Sequence, residues 1–398
     1  MSFQRAARAA LAGQSGLRRI LLAAGTVLIL VLILVLAGIS LSCGSSTTIS
    51  RKGPNHYAYA TIPKSGSVAL LNIDGATGTM TMVAQTPQTV GNSPNGLALI
   101  PSKKFLYAVN SLGNSISMFN VDSNDGTLTL TGSPTPAGNG ADAAVIDPTG
   151  SYLLVTNTFD DDVSVFSINA TTGALSPMGT PAPANNDPSE ILFTHSGNFV
   201  YVSNPGIGMV SGFSFSNGVL TPVPNSPVFS GAGAFGLAVN GSDSYLYVAN
   251  PAATNPVPNN STIGNISGFS IDPATGALTP VLGSPFTATN GTGPTAIAVD
   301  PTGKFVYATT PGSSDSIWCF TIDPTNGQLS AAQNSPFSVA AGGLFALFDP
   351  SGSYFYIGSQ VANGIEGYTY NGSTGAVTVI TGSAFSTGAA PGKMVLSE

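Results

Sequence analysis

Two short apolar runs flank a tight turn in the stretch Ala296-Ile297-Ala298-Val299-Asp300-Pro301-Thr302-Gly303-Lys304-Phe305-Val306-Tyr307-Ala308. The Asp-Pro-Thr-Gly sequence favours the turn, and the runs are rich in β-branched and aromatic residues, so the stretch is typical of a β-hairpin. A third strand is predicted over residues 317–322. A second turn at residues 323–327 then leads to a fourth strand, so the unit has four strands.

Similar units recur along the chain and align on one position of the second strand. That position is occupied by Tyr59, Tyr107, Leu154, Tyr201, Tyr247, Tyr307 and Tyr356. A period of roughly 40–50 residues with four strands per unit is the signature of a propeller blade. The sequence therefore predicts an all-β fold, a seven-bladed β-propeller of four-stranded antiparallel blades.

The two ends of this region predict how the ring closes. The first copy lacks an innermost strand before its Tyr59 strand, whereas the chain ends with residues 391–396, which match residues 294–299 and then stop. We expect the C-terminal strand to complete the first blade, because an unpaired edge would otherwise remain in the ring.

Composition limits the possible partners and cofactors. Only 7% of the 398 residues are charged, against about 25% in ordinary soluble domains. All 18 acidic residues but only seven basic ones follow Cys43, which leaves a net charge of −11 and excludes a basic face for nucleic acid. The two cysteines, Cys43 and Cys319, have no metal-type spacing with histidine. We expect no metal, no cofactor and a monomer.

The N-terminal residues are predicted to direct the protein out of the cytoplasm. Four arginines precede an uncharged apolar run over residues 20–41, and small residues follow it, as in a secretory signal. Residues 40–44, Ser-Leu-Ser-Cys-Gly, resemble a bacterial lipoprotein processing site, which implies lipidation of Cys43. An uncleaved membrane helix and plain secretion remain alternatives. We divide the chain into a signal or anchor (1–43), a polar linker (44–55) and the propeller (56–398), membrane-attached in the bacterial cell envelope.

Two repeated motifs carry a family resemblance that covers about residues 56–398. Residues 299–307, Val-Asp-Pro-Thr-Gly-Lys-Phe-Val-Tyr, and residues 271–279, Ile-Asp-Pro-Ala-Thr-Gly-Ala-Leu-Thr, resemble the seven-bladed propeller lactonases. The best-known activity of that family is 6-phosphogluconolactonase. The sequence is also similar to surface propellers named for a Tyr-Val-Thr-Asn repeat, which reads Leu-Val-Thr-Asn at residues 154–157.

Candidate site residues open the inner strands, because loops at one mouth of a propeller usually form its site. Glu190 and Lys393 are the acid and the amine expected there, as base or water-orienting group and electrophilic partner. The expected binding residues around them are Asn95, Asp142, Ser189, Thr295 and Phe345. The resemblance implies a histidine in this layout and arginines for the substrate's acidic groups. Neither is found at these positions, and no arginine follows Arg51.

Two hypotheses follow for function. The first is a membrane-tethered binding module without catalysis, whose ligand is an unidentified protein, glycan or small molecule. The second is a lactone hydrolase acting on an uncharged lactone, because a phosphorylated sugar would need cationic clamps that lysine replaces poorly. The acidic run Asp160-Asp161-Asp162 could hold calcium, but its spacing favours an exposed turn.

Overall fold

The computed structural model describes residues 56–83, 88–251, 264–287, 293–310, 316–333, 335–338 and 343–397. The predicted signal or anchor, the linker and Cys43 lie outside these residues. The described residues include one helix, the short 3-10 helix Pro63–Ser65. No helix among them is long and apolar enough to cross a membrane. Strands make up the rest of the regular structure.

The strands form seven antiparallel sheets, as the sequence predicted. The innermost strands, in blade order, are β34 (Met394–Ser397), β5 (Pro94–Leu99), β9 (Ala141–Ile146), β14 (Ile191–Phe193), β19 (Leu237–Val239), β24 (Ala296–Val299) and β29 (Gly343–Phe348). The second strands are β1 (His56–Ile62), β6 (Phe105–Asn110), β10 (Tyr152–Asn157), β15 (Phe199–Asn204), β20 (Tyr245–Asn250), β25 (Phe305–Thr310) and β30 (Tyr354–Ser359).

The outer half of each blade consists of a third strand and a fourth strand, and the fourth strand is divided in two in every blade except the second. The third strands are β2 (Ser67–Ile73), β7 (Ser115–Val121), β11 (Asp162–Ile168), β16 (Met209–Ser216), β21 (Asn265–Ile271), β26 (Ser316–Ile322) and β31 (Gly364–Tyr370). The fourth strands are β3 (Met80–Met82) with β4 (Gln88–Thr89), β8 (Leu128–Pro136), β12 (Leu175–Pro177) with β13 (Ala182–Pro183), β17 (Val219–Pro222) with β18 (Val228–Phe229), β22 (Leu278–Pro280) with β23 (Phe286–Thr287), β27 (Leu329–Ala331) with β28 (Phe337–Ser338), and β32 (Val377–Val379) with β33 (Phe385–Ser386).

The C-terminal strand closes the ring, which confirms the prediction from the sequence. Strand β34 pairs antiparallel with β1, with Tyr59 opposite Val395. The pairing continues past the strand end, because Thr61 N donates to Lys393 O at 2.9 Å and Gly392 N donates to Thr61 O at 2.8 Å. The first blade thus gains its inner strand from the other end of the chain.

The second strands are buried on both faces, which explains why they read as continuous apolar runs. Every residue of β6, β15, β25 and β30 is buried. A blade has a neighbour on each side, so its middle strands face apolar cores in both directions, as strands do in sheets that are covered on both sides. The cores accordingly lie between blades.

Buried tyrosines link neighbouring blades through their hydroxyl groups. Six aligned tyrosines, fully buried, each donate to a glycine carbonyl in the outer turn of the next blade at 2.7–2.9 Å. The pairs are Tyr59–Gly126, Tyr107–Gly173, Tyr201–Gly276, Tyr247–Gly327, Tyr307–Gly375 and Tyr356–Gly78. Burial raises the pKa of each tyrosine, so the hydroxyls stay protonated donors.

The seam between the third and fourth blades lacks this bond, because Leu154 occupies the tyrosine position. Leu154 is fully buried and packs in an apolar cluster with Val200 and Phe213. A cleft of about 450 Å³ opens at the outer edge of the same seam, lined by Met178, Val219 and other residues of the two blades. This seam is therefore held by apolar contacts without the shared hydroxyl.

We expect Tyr247→Phe to lower the free energy of unfolding by about 1–3 kcal/mol, because the buried Gly327 carbonyl loses its donor. Tyr245→Phe in the same strand is the matched control, since Tyr245 also packs its ring on Gly327 but is only half-buried. Urea denaturation of both variants, followed by fluorescence, measures the difference. Equal stability of the two variants would contradict a structural role for the hydroxyl.

Candidate functional site

The inner strands begin at one end of the channel, and the side chains there enclose a cavity of about 580 Å³. Most of the residues that the sequence singled out line it together: Asn95, Asp142, Ser189, Glu190, Thr295 and Lys393. They come from five inner strands or the residues just before them, so the channel mouth brings together positions that are far apart in sequence.

Phe345 lies elsewhere. Its side chain is 5% exposed and belongs to the apolar core between the seventh and first blades, where its ring covers Gly358. The neighbouring Leu344 lines the cavity instead. Side chains alternate between the two faces of a strand, so a shift of one residue exchanges a channel position for a core position.

Two polar residues at the cavity, Lys64 and Gln360, were not anticipated from the sequence. Both belong to loops between the second and third strands, where an alignment of inner strands gives no indication of them. The order in which the strands of a blade pair with one another could have predicted their position. The end of each second strand adjoins the start of its inner strand, so the loop that follows must reach the mouth.

An ion pair crosses the channel mouth. Lys393 Nζ, just before β34 of the first blade, donates to Glu190 Oε2, just before β14 of the fourth blade. These blades are three apart, the largest separation that a ring of seven allows. The side chains of Glu190 and Lys393 are 23% and 26% exposed, so the pair is partly screened from water. The carboxylate of Glu190 therefore compensates the charge of the Lys393 ammonium.

Asp142 adds a second carboxyl group beside this pair. Asn95 Nδ2 donates to Asp142 Oδ1, and Ser189 Oγ donates to Asp142 Oδ2 at 3.4 Å. Burial raises the pKa of Asp142 above its ordinary value, and the charge of Glu190 adds to this, while Lys393 and the hydrogen bonds oppose it in part. The site holds one carboxyl that resists ionisation next to one that is paired.

Hydroxyl groups on the second strands fix the backbone at the mouth. They occupy the position two residues after the aligned tyrosine or leucine. Thr61 Oγ1 accepts from Lys393 N at 2.9 Å and donates to Asn95 O at 3.0 Å, which joins the first blade to the second. Ser203 Oγ accepts from Glu190 N at 3.0 Å.

The same arrangement occurs in the third blade. Thr156 Oγ1 accepts from Ala143 N and donates to Ser189 O, both at 2.9 Å. The backbone at Glu190, Lys393 and Ser189 is thereby anchored to buried strands, so these residues are held in place before a ligand arrives.

The described residues contain no group of three or more His, Cys, Asp or Glu side chains suited to a metal ion. The histidine nearest in sequence to Glu190, His195, lies in the turn at the opposite end of β14, where its Nδ1 is 2.8 Å from Asp243 Oδ1. Among the described residues, the charged side chains that line the cavity are those of Lys64, Asp142, Glu190 and Lys393.

The acidic run after β10 forms an exposed turn, as its spacing indicated. Asp160 accepts from the backbone and the side chain of Asn139, and Asp161 Oδ1 accepts from Asp187 N at 2.9 Å. Cys319 is buried and free, and burial raises the pKa of its thiol to about 12, so it stays protonated.

Comparisons with known proteins agree with this architecture. A sequence-family profile described as "Lactonase, 7-bladed beta-propeller" matches residues 48–186, 178–285 and 262–390. No curated protein sequence matches the chain.

Several solved structures are similar to the chain in fold. One, from Bacteroides uniformis, carries a provisional assignment as a 6-phosphogluconolactonase, with 19% identity, a TM-score of 0.73, and coverage of 87% of this chain and 100% of that one. A second with the same provisional assignment comes from Bacteroides fragilis, with 19% identity, a TM-score of 0.71 and coverage of 89% and 100%. A third is the periplasmic gluconolactonase of Pseudomonas aeruginosa, with 16% identity, a TM-score of 0.72 and coverage of 86% and 99%.

We expect Asp142→Asn to be more stable than the wild type at pH 7. A carboxyl whose pKa is higher in the folded than in the unfolded protein stabilises folding at low pH and loses that contribution as the pH rises through the folded pKa. The amide removes this loss, so its advantage should disappear below about pH 4, where the wild-type carboxyl is protonated in both states.

The matched control is Asp272→Asn, in an exposed turn. Backbone donors, first that of Thr275, lower the pKa of Asp272, so this variant should show the opposite trend with pH. Thermal denaturation of both variants between pH 3 and pH 8 measures the effect. A stability difference for Asp142→Asn that does not change with pH would contradict the assignment.

Proposed function

This chain belongs to the seven-bladed β-propeller lactonase family, and from that premise we propose that its mouth cavity binds a small, uncharged, hydroxyl-rich ligand. In this proposal the protein is a binding module and does not act on a phosphorylated sugar. The observation that carries it is the ion pair between Lys393 and Glu190, which leaves the central ammonium of the cavity without free positive charge.

The charges around the cavity support a neutral ligand. Asp142 adds a second carboxyl to the site, and Lys64 is an exposed lysine at its edge. A phosphate group is usually held by bidentate arginine or by several donors together, and residues 56–398 contain no arginine. An anionic ligand would have to displace Glu190 from Lys393, at an electrostatic cost.

Size and hydrogen-bonding groups support a small polar ligand. A volume of about 580 Å³ lies within the range of roughly 300–1,000 Å³ found for small-molecule sites. Asn95, Ser189 and Gln360 line the cavity with donors and acceptors, and Phe235 and Leu344 supply apolar surface. Such a mixture suits the hydroxyl groups and the ring faces of a sugar or a sugar lactone.

The second candidate is hydrolysis of an uncharged lactone. It is favoured by the presence of Glu190, Lys393 and Asp142 within one cavity. Lys393 would polarise the ring carbonyl, and Glu190 would orient a water and take its proton as the water adds to the carbonyl carbon. The ring C–O bond then breaks, and the alkoxide takes a proton, for which protonated Asp142 is a suitable donor. The product is the open hydroxy acid.

We also propose that the protein is attached to the membrane outside the cytoplasm. The support is the arginine-rich start, the apolar run over residues 20–41 and the small residues around Cys43. Lipidation of Cys43 would anchor the chain, and residues 44–55 would connect the anchor to the propeller.

A panel of ligands tests the proposed function. We expect calorimetric titration to detect binding of a neutral sugar or of its 1,5-lactone, and to show at least tenfold weaker binding of the 6-phosphate form. In Lys393→Met, removal of the ammonium leaves both carboxyls and should weaken binding of the phosphate form further. Preference for the phosphate form would overturn the proposal.

Hydrolysis is followed in the same panel by proton release. Turnover that falls at least 100-fold in Glu190→Gln but is retained in Asp272→Asn would establish the second candidate in place of the first. Binding without turnover would support the binding module. Absence of both binding and turnover across neutral sugars and lactones would contradict both assignments.

The anchoring is tested separately with the two cysteines of the chain. We expect radiolabelled palmitate to be incorporated into the wild type and into Cys319→Ala, because Cys319 is buried in the propeller. Cys43→Ala should lose the label. A membrane-bound but unlabelled wild type would indicate the uncleaved helix, and a freely secreted protein would contradict anchoring.

A further inference from the structure

Exposed apolar residues recur at equivalent loop tips around the mouth. Leu112, Phe159 and Val361 are 76%, 78% and 72% exposed, and Ile207 is 38% exposed. Each lies in the loop between the second and third strands of its blade, in the second, third, seventh and fourth blades respectively. We call these four residues the apolar rim. A single exposed apolar residue is ordinary, but the recurrence of such residues in the same loop of four blades suggests a contact surface.

Backbone hydrogen bonds place these loops at the mouth. Ser111 N donates to Ser93 O at 3.0 Å, beside the start of β5. Phe159 N donates to Asn139 O at 3.1 Å, beside the start of β9. In the seventh blade Gln360, the neighbour of Val361, lines the cavity. These loops therefore lie at the mouth, and none of the four residues of the apolar rim lines the cavity.

Phe159 is the best-supported member of the rim. Gly140 lies against its ring, so that a Cβ at position 140 would approach the ring to 2.7 Å, while the side chain remains largely open to solvent. The next residue, Asp160, accepts hydrogen bonds from the backbone and the side chain of Asn139, which belongs to the adjoining loop. The ring and the carboxylate are thus held side by side.

Negative charge predominates at this end of the propeller. Among the described loops and strand ends at the mouth, carboxyl groups outnumber ammonium groups six to two. The carboxyls are those of Asp142, Asp160, Asp161, Asp162, Asp187 and Glu190, and the ammonium groups are those of Lys64 and Lys393. Asp160 and Asp161 lie in the loop of Phe159 and are exposed, and Asp162 opens the strand that follows this loop. The exposed carboxyl groups of Asp160 and Asp161 therefore favour a partner that carries positive charge beside apolar groups.

From these observations we propose that the apolar rim is a docking surface for a protein segment in which apolar side chains alternate with lysine or arginine. The apolar side chains would contact Leu112, Phe159, Ile207 and Val361, and the cations would meet Asp160 and Asp161. An anionic lipid surface is disfavoured, because it would bring like charges together, and a second copy of this face is disfavoured for the same reason. This goes beyond ligand binding in the cavity.

Neutrally labelled synthetic peptides test the proposal. The probe peptide contains Leu-Lys pairs separated by Ser and Gly residues. In one control peptide each Lys is replaced by Glu, and in the other each Leu is replaced by Ser. The fluorescence anisotropy of each labelled peptide is measured as the full chain in phosphatidylcholine nanodiscs is added, with empty nanodiscs as the blank. We expect the probe to bind at least tenfold more tightly than either control, with an affinity that falls as salt rises.

Variants locate the contact. The double variant Leu112→Ser/Phe159→Ser should weaken binding of the probe about tenfold or more, because few residues carry most of the energy of an interface. Leu282→Ser and Val379→Ser, at residues 79% and 59% exposed on outer strands or their turns, are the matched controls and should leave binding unchanged. Asp161→Asn should reduce the salt dependence.

Three outcomes would overturn the proposal. They are equal binding of the acidic peptide, equal loss of binding in the outer controls, and dimers of the wild type that disappear in the double variant. The last would reassign the surface to self-association. Neutral-sugar binding and thermal stability of the double variant should match the wild type, so that failure here is distinguishable from failure of the cavity proposal.

Discussion

A buried tyrosine hydroxyl that donates to a glycine carbonyl of the next blade fixes six of the seven seams of the ring. A single blade cannot bury both faces of its middle strands, so every blade needs a neighbour on each side. Apolar packing supplies most of the attraction but little direction. The hydroxyl supplies direction, because it reaches one carbonyl in one turn of the neighbouring blade, and the bond from Tyr356 to Gly78 joins the seventh blade to the first.

Closure of the ring also creates the site. Lys393 lies next to the closing strand, and Glu190 lies three blades away, so the two meet only because the circle is complete. Thr61 shows the same dependence, since its hydroxyl binds Lys393 N from the C-terminus and Asn95 O from the second blade. The clasp that removes an open edge from the ring therefore also positions the central ammonium of the cavity. Stability of the ring and geometry of the site have one origin.

The mouth presents two different chemistries at two distances from the axis. Near the axis, the opposite charges of Glu190 and Lys393 cancel, and burial favours the protonated form of Asp142, so the cavity suits neutral polar molecules. Farther out, Phe159 is exposed next to the exposed carboxyl groups of Asp160 and Asp161, which suits an apolar and basic partner. The fold permits both, because inner strands build the cavity whereas the loops between second and third strands build the rim.

The sequence by itself determined the ring, because turn residues and buried strands repeat locally at a regular spacing and each copy carries its own signal. It also indicated that Glu190, Lys393 and Asp142 would share one mouth, since the start of every inner strand occupies an equivalent position. The sequence did not predict that Glu190 and Lys393 would form an ion pair, because that contact depends on the diameter of the closed ring. Only the tertiary structure placed Phe345 in the core and Lys64 and Gln360 at the cavity. Those positions depend on strand register and on how loops from different blades converge, and neither is a local property of the chain.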